Sequence, residues 1–169
     1  MNKILLTGAT GFIGSNIYSY LKKKNYRLLC PSRKKYKNPD FIHCDLSHNI
    51  FKKIDFKFDA ILHCASISPI QYKKQTYKDY LQNNVRTTKN LIKFANKKKI
   101  NKFFYLSSIS AYGDVLDQKL DRRSKINNPD HYGRSKLISE NLLLDDKNYF
   151  KSFIIRLPGV VGKKSKRNW

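Results

Sequence analysis

The chain has 169 residues and a formal net charge of +23, with 35 lysine and arginine residues against 12 acidic ones. This length suits one domain that buries roughly 70% of the surface of its unfolded chain. No apolar stretch approaches the ~20 residues that span a bilayer, and the first residues lack the pattern of a secretory signal, so we expect a cytoplasmic protein with no membrane partner.

The basic residues stand in short clusters at predicted helix ends and in loops, where cations suit the helix dipole and the solvent. Because the chain is also rich in Asn, Ile, Tyr and Phe, we interpret the charge as a bias of composition and expect no specific nucleic-acid partner. Polyanion binding is the alternative, and it predicts retention by DNA or heparin with a steep dependence on salt.

The three cysteines do not suggest a disulfide framework or a metal site. Cys30, Cys44 and Cys64 are odd in number and widely spaced, and no histidine stands at a metal-ligand spacing from them. We therefore expect each to act as a small buried side chain.

The chain opens on an apolar strand that runs into a glycine-rich turn and a helix. The strand is predicted over Lys3–Thr7 and the helix over Phe12–Lys24, with Gly8, Gly11 and Gly14 between and inside them. Proteins with α/β folds seat a pyrophosphate in this way. The spacing is G-x-x-G-x-x-G and not the general G-x-G-x-x-G, so an ordinary strand-to-helix turn is the alternative.

Strand-like and helix-like segments alternate through the remaining chain. An aspartate, Asp130, is placed to cap the last helix. The alternation predicts one domain over residues 1–169, an α/β fold with a Rossmann-type, doubly wound parallel sheet and helices on both faces. The remaining predicted strands are Tyr26–Cys30, Phe41–Cys44, Asp59–Ala65, Lys102–Ser107 and Ser152–Leu157, and the remaining helices are Tyr77–Asn96 and Tyr132–Leu144.

A tyrosine and a lysine four residues apart share one face of the last predicted helix. An ammonium at Lys136 would favour the phenolate and lower the pKa of Tyr132, which makes this tyrosine a candidate general acid/base. Ser107 and Ser108 end a predicted strand at the carboxyl edge of the sheet, where open α/β folds bind ligands. We assign a catalytic hydroxyl to Ser108; the alternatives are a solvated Tyr–Lys pair and serines bonded to the following turn.

Several short segments, spread over almost the whole chain, occur in the order typical of one family. They are Thr7–Gly14, Asp45-Leu46, His63–Ser66, Asn84-Val85, Ser107–Gly113, Tyr132–Lys136 and Arg156–Gly162. Together they resemble the extended short-chain dehydrogenase/reductases and, more narrowly, the NAD(P)-dependent epimerase/dehydratase family that acts on nucleotide sugars. The resemblance implies hydride transfer between a sugar carbon and a nicotinamide, with Tyr132 exchanging the hydroxyl proton.

The resemblance also implies a cofactor site and its partners. The pyrophosphate would be held by Gly8, Gly11, Phe12, Ile13 and Gly14, the adenine would be flanked by Asp45 and Leu46, and the cleft would be lined by Ala65. A nucleotide-sugar substrate is implied, and so is a homodimer through the two long helices, whose apolar positions could equally be core.

The same resemblance implies roles at the reacting centre. Ser108 would orient the substrate, Tyr132 would act as acid/base, and Lys136 would bind the nicotinamide ribose. Asn84 would support the site or be a satisfied buried amide, and His63 is read as a packed residue that closes the fourth strand.

No acid ends the second predicted strand, where NAD enzymes usually bind the ribose 2′-hydroxyl with Asp or Glu. The strand runs instead into Cys30-Pro31-Ser32-Arg33. Because a guanidinium suits a 2′-phosphate, we expect NADP to be preferred over NAD, with Arg33 as the residue that reads it. A solvated run of charge is the alternative.

Two further departures from the family pattern bear on the reaction. Sugar 4,6-dehydratases of this family follow the catalytic Ser or Thr with an Asp-Glu pair, whereas this chain has Ile109-Ser110. We therefore expect epimerisation or reduction of a keto sugar and no elimination. Relatives are longer, so the C-terminal substrate lobe is expected to be missing; a non-catalytic dinucleotide-binding fragment or module is the alternative function.

Overall fold

The structure is a computed structural model that describes residues 3–48, 54, 56–69, 75–115, 119–162 and 165. Six parallel strands form a sheet in the order β3-β2-β1-β4-β5-β6. This order and the helices on both faces confirm the predicted Rossmann-type sheet. The strands are β1 (Lys3–Thr7), β2 (Arg27–Ser32), β3 (Phe41–His43), β4 (Ala60–His63), β5 (Lys102–Ser108) and β6 (Lys151–Leu157), and the helices are α1 (Phe12–Lys23), α2 (Tyr77–Tyr80), α3 (Arg86–Lys97) and α4 (His131–Leu143).

The two faces of the sheet are covered by different helices. Successive side chains of a strand point to opposite faces, and β1 shows this with two fully buried leucines. Leu5 belongs to the larger core cluster, which includes Leu91 of α3. Leu6 belongs to the second cluster, against which Leu21 of α1 packs. The apolar face of α3 is therefore sheet-facing core, as one of the two sequence interpretations expected.

Strand β2 begins one residue later than predicted and ends two residues later, at Ser32, because it changes partner along its length. It pairs with β1 as far as Leu29 and with β3 from Cys30 to Ser32. Pro31 lies in the second part, beyond the ladder with β1, so its missing N–H removes no bond on that side. The extension carries Ser32 to the carboxyl edge of the sheet.

The predicted helix 77–96 exists, but its hydrogen-bonding pattern changes after its first turn. Thr76 begins α2 with a capping box shared with Asp79. A π-helical turn over Leu81–Val85 follows and leads directly into α3. Such turns carry an extra residue and frequently lie at functional sites.

Three smaller predictions can be compared with the structure. The carboxylate of Asp130 accepts a hydrogen bond from the backbone N–H of Gly133 at 2.6 Å, which confirms it as the cap of α4. Cys30 and Cys44 are buried as expected, whereas Cys64 is partly exposed. In the part of the chain that the structure describes, no helix has the length and apolar character needed to cross a membrane.

Candidate active site

The candidate site is the crevice where β1 and β4 end side by side. Thr7 and His63 are paired in the parallel ladder, and the strand order reverses between these two strands. Open α/β sheets bind ligands outside the carboxyl ends of the strands at this reversal. The chain leaves β1 through Gly8 and leaves β4 through Cys64, so these two segments form the walls of the crevice.

The glycine turn at this crevice fits closely against the chain that follows β4. Gly8 has a φ of +71°, and a Cβ there would lie 2.7 Å from the backbone nitrogen of Ala65. A Cβ at Gly14 would lie 2.1 Å from the carbonyl oxygen of Gly8. Both positions therefore require glycine for the backbone segments to approach one another.

The N-terminus of α1 fits an anion such as a pyrophosphate. Gly11 precedes the helix, is exposed, and provides no side-chain cap, and the first turn contains no acidic residue. The N–H groups of the first turn, at Phe12, Ile13 and Gly14, lack intrahelical partners by the geometry of any helix start. Such a terminus attracts phosphate through these donors and through the helix dipole.

A chain of buried hydrogen bonds crosses the base of the crevice. The N–H of Ala65 donates to the hydroxyl of Thr7 at 3.1 Å, and this hydroxyl lies 2.7 Å from Nδ1 of His63. On the other side of the ring, Nε2 lies 3.1 Å from the hydroxyl of Thr88, which donates to the carbonyl of Asn84 at 2.9 Å. With the proton of Thr88 on the carbonyl of Asn84, Nε2 carries the ring proton and Nδ1 accepts from Thr7.

This arrangement gives His63 more than the packing role expected from the sequence. The residue is 1% exposed, and burial lowers its pKa to about 3, so the imidazole is neutral. It connects the loop that carries Ala65 to the helix that carries Asn84. No spacing in the sequence indicated the two threonines as its partners.

The residues expected to flank the adenine lie after β3 and differ in exposure. Asp45 is exposed; burial acts to raise its pKa, but hydrogen bonds from Ser47 and the charges of His48 and Arg33 lower it overall. Leu46 is 8% exposed and its side chain belongs to the core. Any contact of Leu46 with an adenine therefore falls to its backbone.

Arg33 lies at the carboxyl end of β2, directly after Ser32, and is exposed. The hydroxyl of Ser32 accepts a hydrogen bond from the N–H of Lys34 at 3.1 Å, which shapes this turn. Because Arg33 also acts on the pKa of Asp45, the guanidinium and the carboxylate share one edge of the crevice. The charge of Asp45 thus offsets part of the positive charge there.

Two of the three predicted catalytic residues are in contact. Lys136 is 2% exposed, and its Nζ donates to the carbonyl of Leu106 at 2.9 Å. The same Nζ lies 5.6 Å from the ring centroid of Tyr132 and 4.9 Å from that of Tyr105. The side chain of Lys136 therefore lies between α4 and β5, close to the rings of both tyrosines.

The environment of Lys136 opposes its charge. Burial lowers its pKa to about 8, while the nearby Cys64 and Glu140 act in the opposite direction. At neutral pH the side chain therefore remains mostly an ammonium and needs little energy to lose its proton. A buried cation of this kind in a crevice is typical of functional sites.

Ser108, the third predicted catalytic residue, ends β5 and begins a short 3₁₀ turn, Ile109–Ala111. Its Oγ accepts a hydrogen bond from the N–H of Ser110 at 3.1 Å and donates to the Oγ of Ser110 at 3.1 Å. The bond to the turn, which was the alternative interpretation, is thus present. It leaves Ser108 two residues beyond the carbonyl that holds Lys136.

Asn84 connects the crevice to the helix of Tyr132. Its Oδ1 accepts from the N–H of Ile67 at 2.8 Å, and its Nδ2 donates to the Ile67 carbonyl and to the hydroxyl of Ser135, each at 3.1 Å. The Ser135 hydroxyl donates in turn to the carbonyl of Tyr132 at 2.7 Å. Asn84 is therefore a satisfied buried amide and also part of the frame around the site.

A buried ion pair lies one helical turn beyond Lys136 and was not found by the sequence analysis. Glu140 is 3% exposed and receives hydrogen bonds from Nη2 of Arg156 at 2.6 Å and from its Nε at 3.0 Å. The hydroxyl of Ser107 donates to the same carboxylate. The spacing of four residues from Tyr132 to Lys136 to Glu140 was the available signal.

A groove of about 560 Å³ opens beside the start of α4. It is bounded by the loop that precedes this helix and by the 3₁₀ turn after Ser108. The lining residues are Ser110, Gly113, Asp114, Asn128, Pro129, Asp130, His131 and Arg134. The groove thus adjoins both Ser108 and Tyr132 through their chain neighbours.

The sheet order and the glycine turn at the strand reversal define a protein of the Rossmann-fold class. Comparison with known proteins agrees with this class and narrows it. The model of the NAD dependent epimerase/dehydratase family matches residues 4–168, and the chain belongs to this family.

Individual relatives include both kinds of enzyme in the family's name. The dTDP-D-glucose 4,6-dehydratase of Dictyostelium discoideum is 28% identical over 95% of this chain and 43% of its own length. The structure of the UDP-Glc/GlcNAc 4-epimerase from Campylobacter jejuni has a TM-score of 0.80 and 28% identity, and the match covers 92% of this chain and 53% of that one. A UDP-glucuronic acid 4-epimerase from Bacillus cereus, in complex with NAD, has a TM-score of 0.78 and 24% identity over 96% of this chain and 58% of its own. The chain spans about half the length of the curated relatives it matches.

Proposed function

We propose that this chain binds a nicotinamide dinucleotide in the crevice and carries the catalytic groups of a nucleotide-sugar epimerase or reductase. The observation that carries the proposal is the buried ammonium of Lys136, which contacts the ring of Tyr132 beside the glycine turn. Membership of the family supports the dinucleotide and the sugar substrate.

The residues would share the work as follows. The N–H groups at the start of α1 bind the pyrophosphate, and Lys136 donates to the nicotinamide ribose. Ser108 exchanges its bond to Ser110 for one to a substrate oxygen, and Tyr132 takes or returns the proton of the reacting hydroxyl. The bound nicotinamide supplies the acceptor and donor of hydride.

Epimerisation or keto-sugar reduction is proposed in preference to elimination of water. The two positions after Ser108 hold Ile109 and Ser110, and both belong to the short 3₁₀ turn. Neither side chain can act as the carboxylate pair that elimination uses in dehydratases. A 4-keto-6-deoxy sugar formed by the complete enzyme would contradict this part of the proposal.

A preference for NADP over NAD is part of the proposal and depends on Arg33. The exposed guanidinium stands at the end of β2, next to the hydroxyl of Ser32, and Asp45 lies within its electrostatic reach. We expect Arg33→Asp to weaken NADP binding about tenfold or more while NAD binding changes little. Arg122→Asp, at an exposed position in the loop before α4, is the control for net charge. Equal affinities of the wild type for NAD and NADP would contradict the preference.

Residues 1–169 are proposed to act as the cofactor domain, with the grip on the sugar supplied by a lobe outside this stretch. A cytoplasmic location and a homodimer belong to the same proposal, and cell fractionation and light scattering test them. A dinucleotide-binding module without turnover is the second candidate, favoured by the match to only half of each relative.

The deciding experiment is titration with NADH and NADPH at moderate and at high salt, followed by incubation with UDP-glucose. Saturable binding that survives high salt and is lost in Lys136→Met supports the cofactor site. Conversion of the sugar that is lost in Tyr132→Phe supports catalysis. Binding without conversion supports the module, and no salt-resistant binding contradicts both.

A further inference from the structure

The ion pair of Glu140 and Arg156 needs an explanation other than stability. Its carboxylate is 3% exposed, so folding removes it from water at a considerable cost. A buried pair of this kind is commonly no more stabilising than apolar side chains of the same volume. Its partners instead indicate a geometric role, because it joins three elements at the edge of the sheet that carries the site.

The pair fixes α4 against the end of β5 in a definite register. Tyr132, Lys136 and Glu140 are spaced by four residues and share one face of α4. On β5, the carbonyl of Leu106 holds Lys136, and the hydroxyl of Ser107 holds Glu140. The next residue of the strand is Ser108.

Arg156, on β6, donates hydrogen bonds to the same carboxylate. It is directly opposite Ser107 in the β5–β6 ladder, so both donors reach Glu140 from neighbouring strands. Its guanidinium also lies 4.3 Å from the ring centroid of Tyr112, just after the 3₁₀ turn. The hydrogen bonds that Arg156 donates to Glu140 raise the pKa of Arg156, so this partner stays charged.

We propose that Glu140 is a positioning residue that sets Lys136 and Tyr132 of α4 relative to Ser108 of β5. The roles of these three residues rest on the proposed function, but the coupling of Glu140 to Lys136 does not.

The electrostatic consequence concerns the proton of Lys136. The carboxylate of Glu140 acts to raise the pKa of Lys136 against the effect of burial. The other titratable groups that face Lys136 are the thiol of Cys64, the neutral imidazole of His63 and the phenols of Tyr105 and Tyr132. Among these groups, Glu140 provides the carboxylate that favours the charged form of Lys136.

The test is the titration of Lys136 followed by NMR of its ε-methylene group, assigned with Lys136→Met. In the wild type we expect a midpoint near pH 8. In Glu140→Gln we expect it to fall by about one pH unit. Asp146→Asn removes one exposed negative charge just after α4 and should leave the midpoint unchanged. A folded Glu140→Gln protein with the wild-type midpoint overturns the proposal.

Glu140→Gln leaves the guanidinium of Arg156 without its carboxylate partner and is destabilising for that reason alone. The double variant Glu140→Gln/Arg156→Gln removes both charges and keeps the side-chain lengths. We expect it to fold and still to show a lowered midpoint for Lys136. A wild-type midpoint in the double variant overturns the proposal in the same way.

Measurement of dinucleotide binding distinguishes the effect of the Glu140 charge from the effect of its side-chain length. It also distinguishes this proposal from the proposed function. Glu140→Asp keeps the charge but is one methylene shorter. We expect a midpoint close to that of the wild type, with NADH affinity reduced about tenfold, because small misplacements of binding groups are costly. Unchanged affinity in both Glu140→Asp and Glu140→Gln overturns the positioning role. If the wild type binds no dinucleotide, the proposed function fails, while the titration of Lys136 still decides the coupling to Glu140.

Discussion

His63 shows how a single buried residue makes the fold sensitive to acid. Its pKa is about 3 in the fold and about 6.5 in an unfolded chain. Between these values the unfolded chain binds a proton that the folded chain does not. Stability therefore falls as pH drops below about 6.5, by about 1.4 kcal/mol for each pH unit.

We expect the free energy of unfolding to fall by about 2 kcal/mol between pH 7 and pH 5, measured by urea denaturation. The lowered pKa of Asp40 and of Asp45 acts only at lower pH, so this window reports on His63. His63→Asn should be less stable at pH 7, since two hydrogen bonds change, but much flatter over the window. His131→Asn, at an exposed histidine, should keep the wild-type slope. An unchanged slope in His63→Asn would contradict the assignment.

At the scale of elements, the π-helical turn places Asn84 between two segments that would otherwise not meet. The extra residue in this turn directs the amide towards Ile67 on one side and Ser135 on the other. A regular α-helix over the same residues would rotate either Asn84 or the apolar face of α3 away from its partners. The turn thus lets the apolar face of α3 pack against the sheet while Asn84 keeps its hydrogen bonds.

Asn84→Ala should lower the free energy of unfolding by about 2 kcal/mol or more, because the N–H of Ile67 loses its acceptor and the buried hydroxyl of Ser135 loses its donor. Asn83→Ala is the matched control in the same turn. Its side chain donates to the carbonyl of Asp79 near the surface, so we expect a change within about 0.5 kcal/mol. Equal losses in the two variants, measured by chemical denaturation, would show that the turn and not the amide is responsible.

The sequence predicted the elements well because periodicity and capping are local. The β1–turn–α1 unit and the Asp130 cap follow from residues that stand next to one another. The π-helical turn and the extension of β2 did not follow, because each depends on partners outside its own segment. For β2 that partner is β3, which pairs with β2 from Cys30 onwards, beyond the last residue that pairs with β1.

The residues of the candidate site differ in the same way, because some are related by local spacing and others only by contacts between distant parts of the chain. Tyr132 and Lys136 stand on one helix and could be read from their spacing. The hydrogen bonds of His63 with Thr7 and Thr88 join residues 56 and 25 positions apart, and no pattern in one sequence reveals them. The assignments of catalytic and cofactor-binding residues themselves stay predictions.

At the scale of the whole molecule, the formal charge of +23 dominates. If it is a bias of composition, scattered lysines contribute equally to attraction for polyanions, and binding to heparin weakens steeply with salt. If it serves a dedicated site, one cluster contributes most. The two interpretations differ in how the charge is distributed and not in its sum.

We expect Lys23→Gln/Lys24→Gln and Lys34→Gln/Lys35→Gln to lower the salt concentration of elution from heparin by similar amounts. All four lysines are exposed and lie in two separate places, at the C-terminal end of α1 and after β2. Each pair should reduce the slope of log affinity against log salt by about 2. A much larger effect of one pair would favour a specific polyanion site.

The change of partner in β2 has a consequence for motion. Strand β3 is joined to the sheet by only three residue pairs, and all of them lie beyond the point where β2 leaves β1. An edge strand attached in this way can open without disturbing the central ladder, so its amides should exchange with solvent well before those of β1 or β5. The segment that follows β3 carries Asp45 and stays attached to α3, because Asn90 donates to the carbonyls of Leu46 and His48 at 2.9 and 3.1 Å. The opening of β3 is therefore expected to stop at this segment.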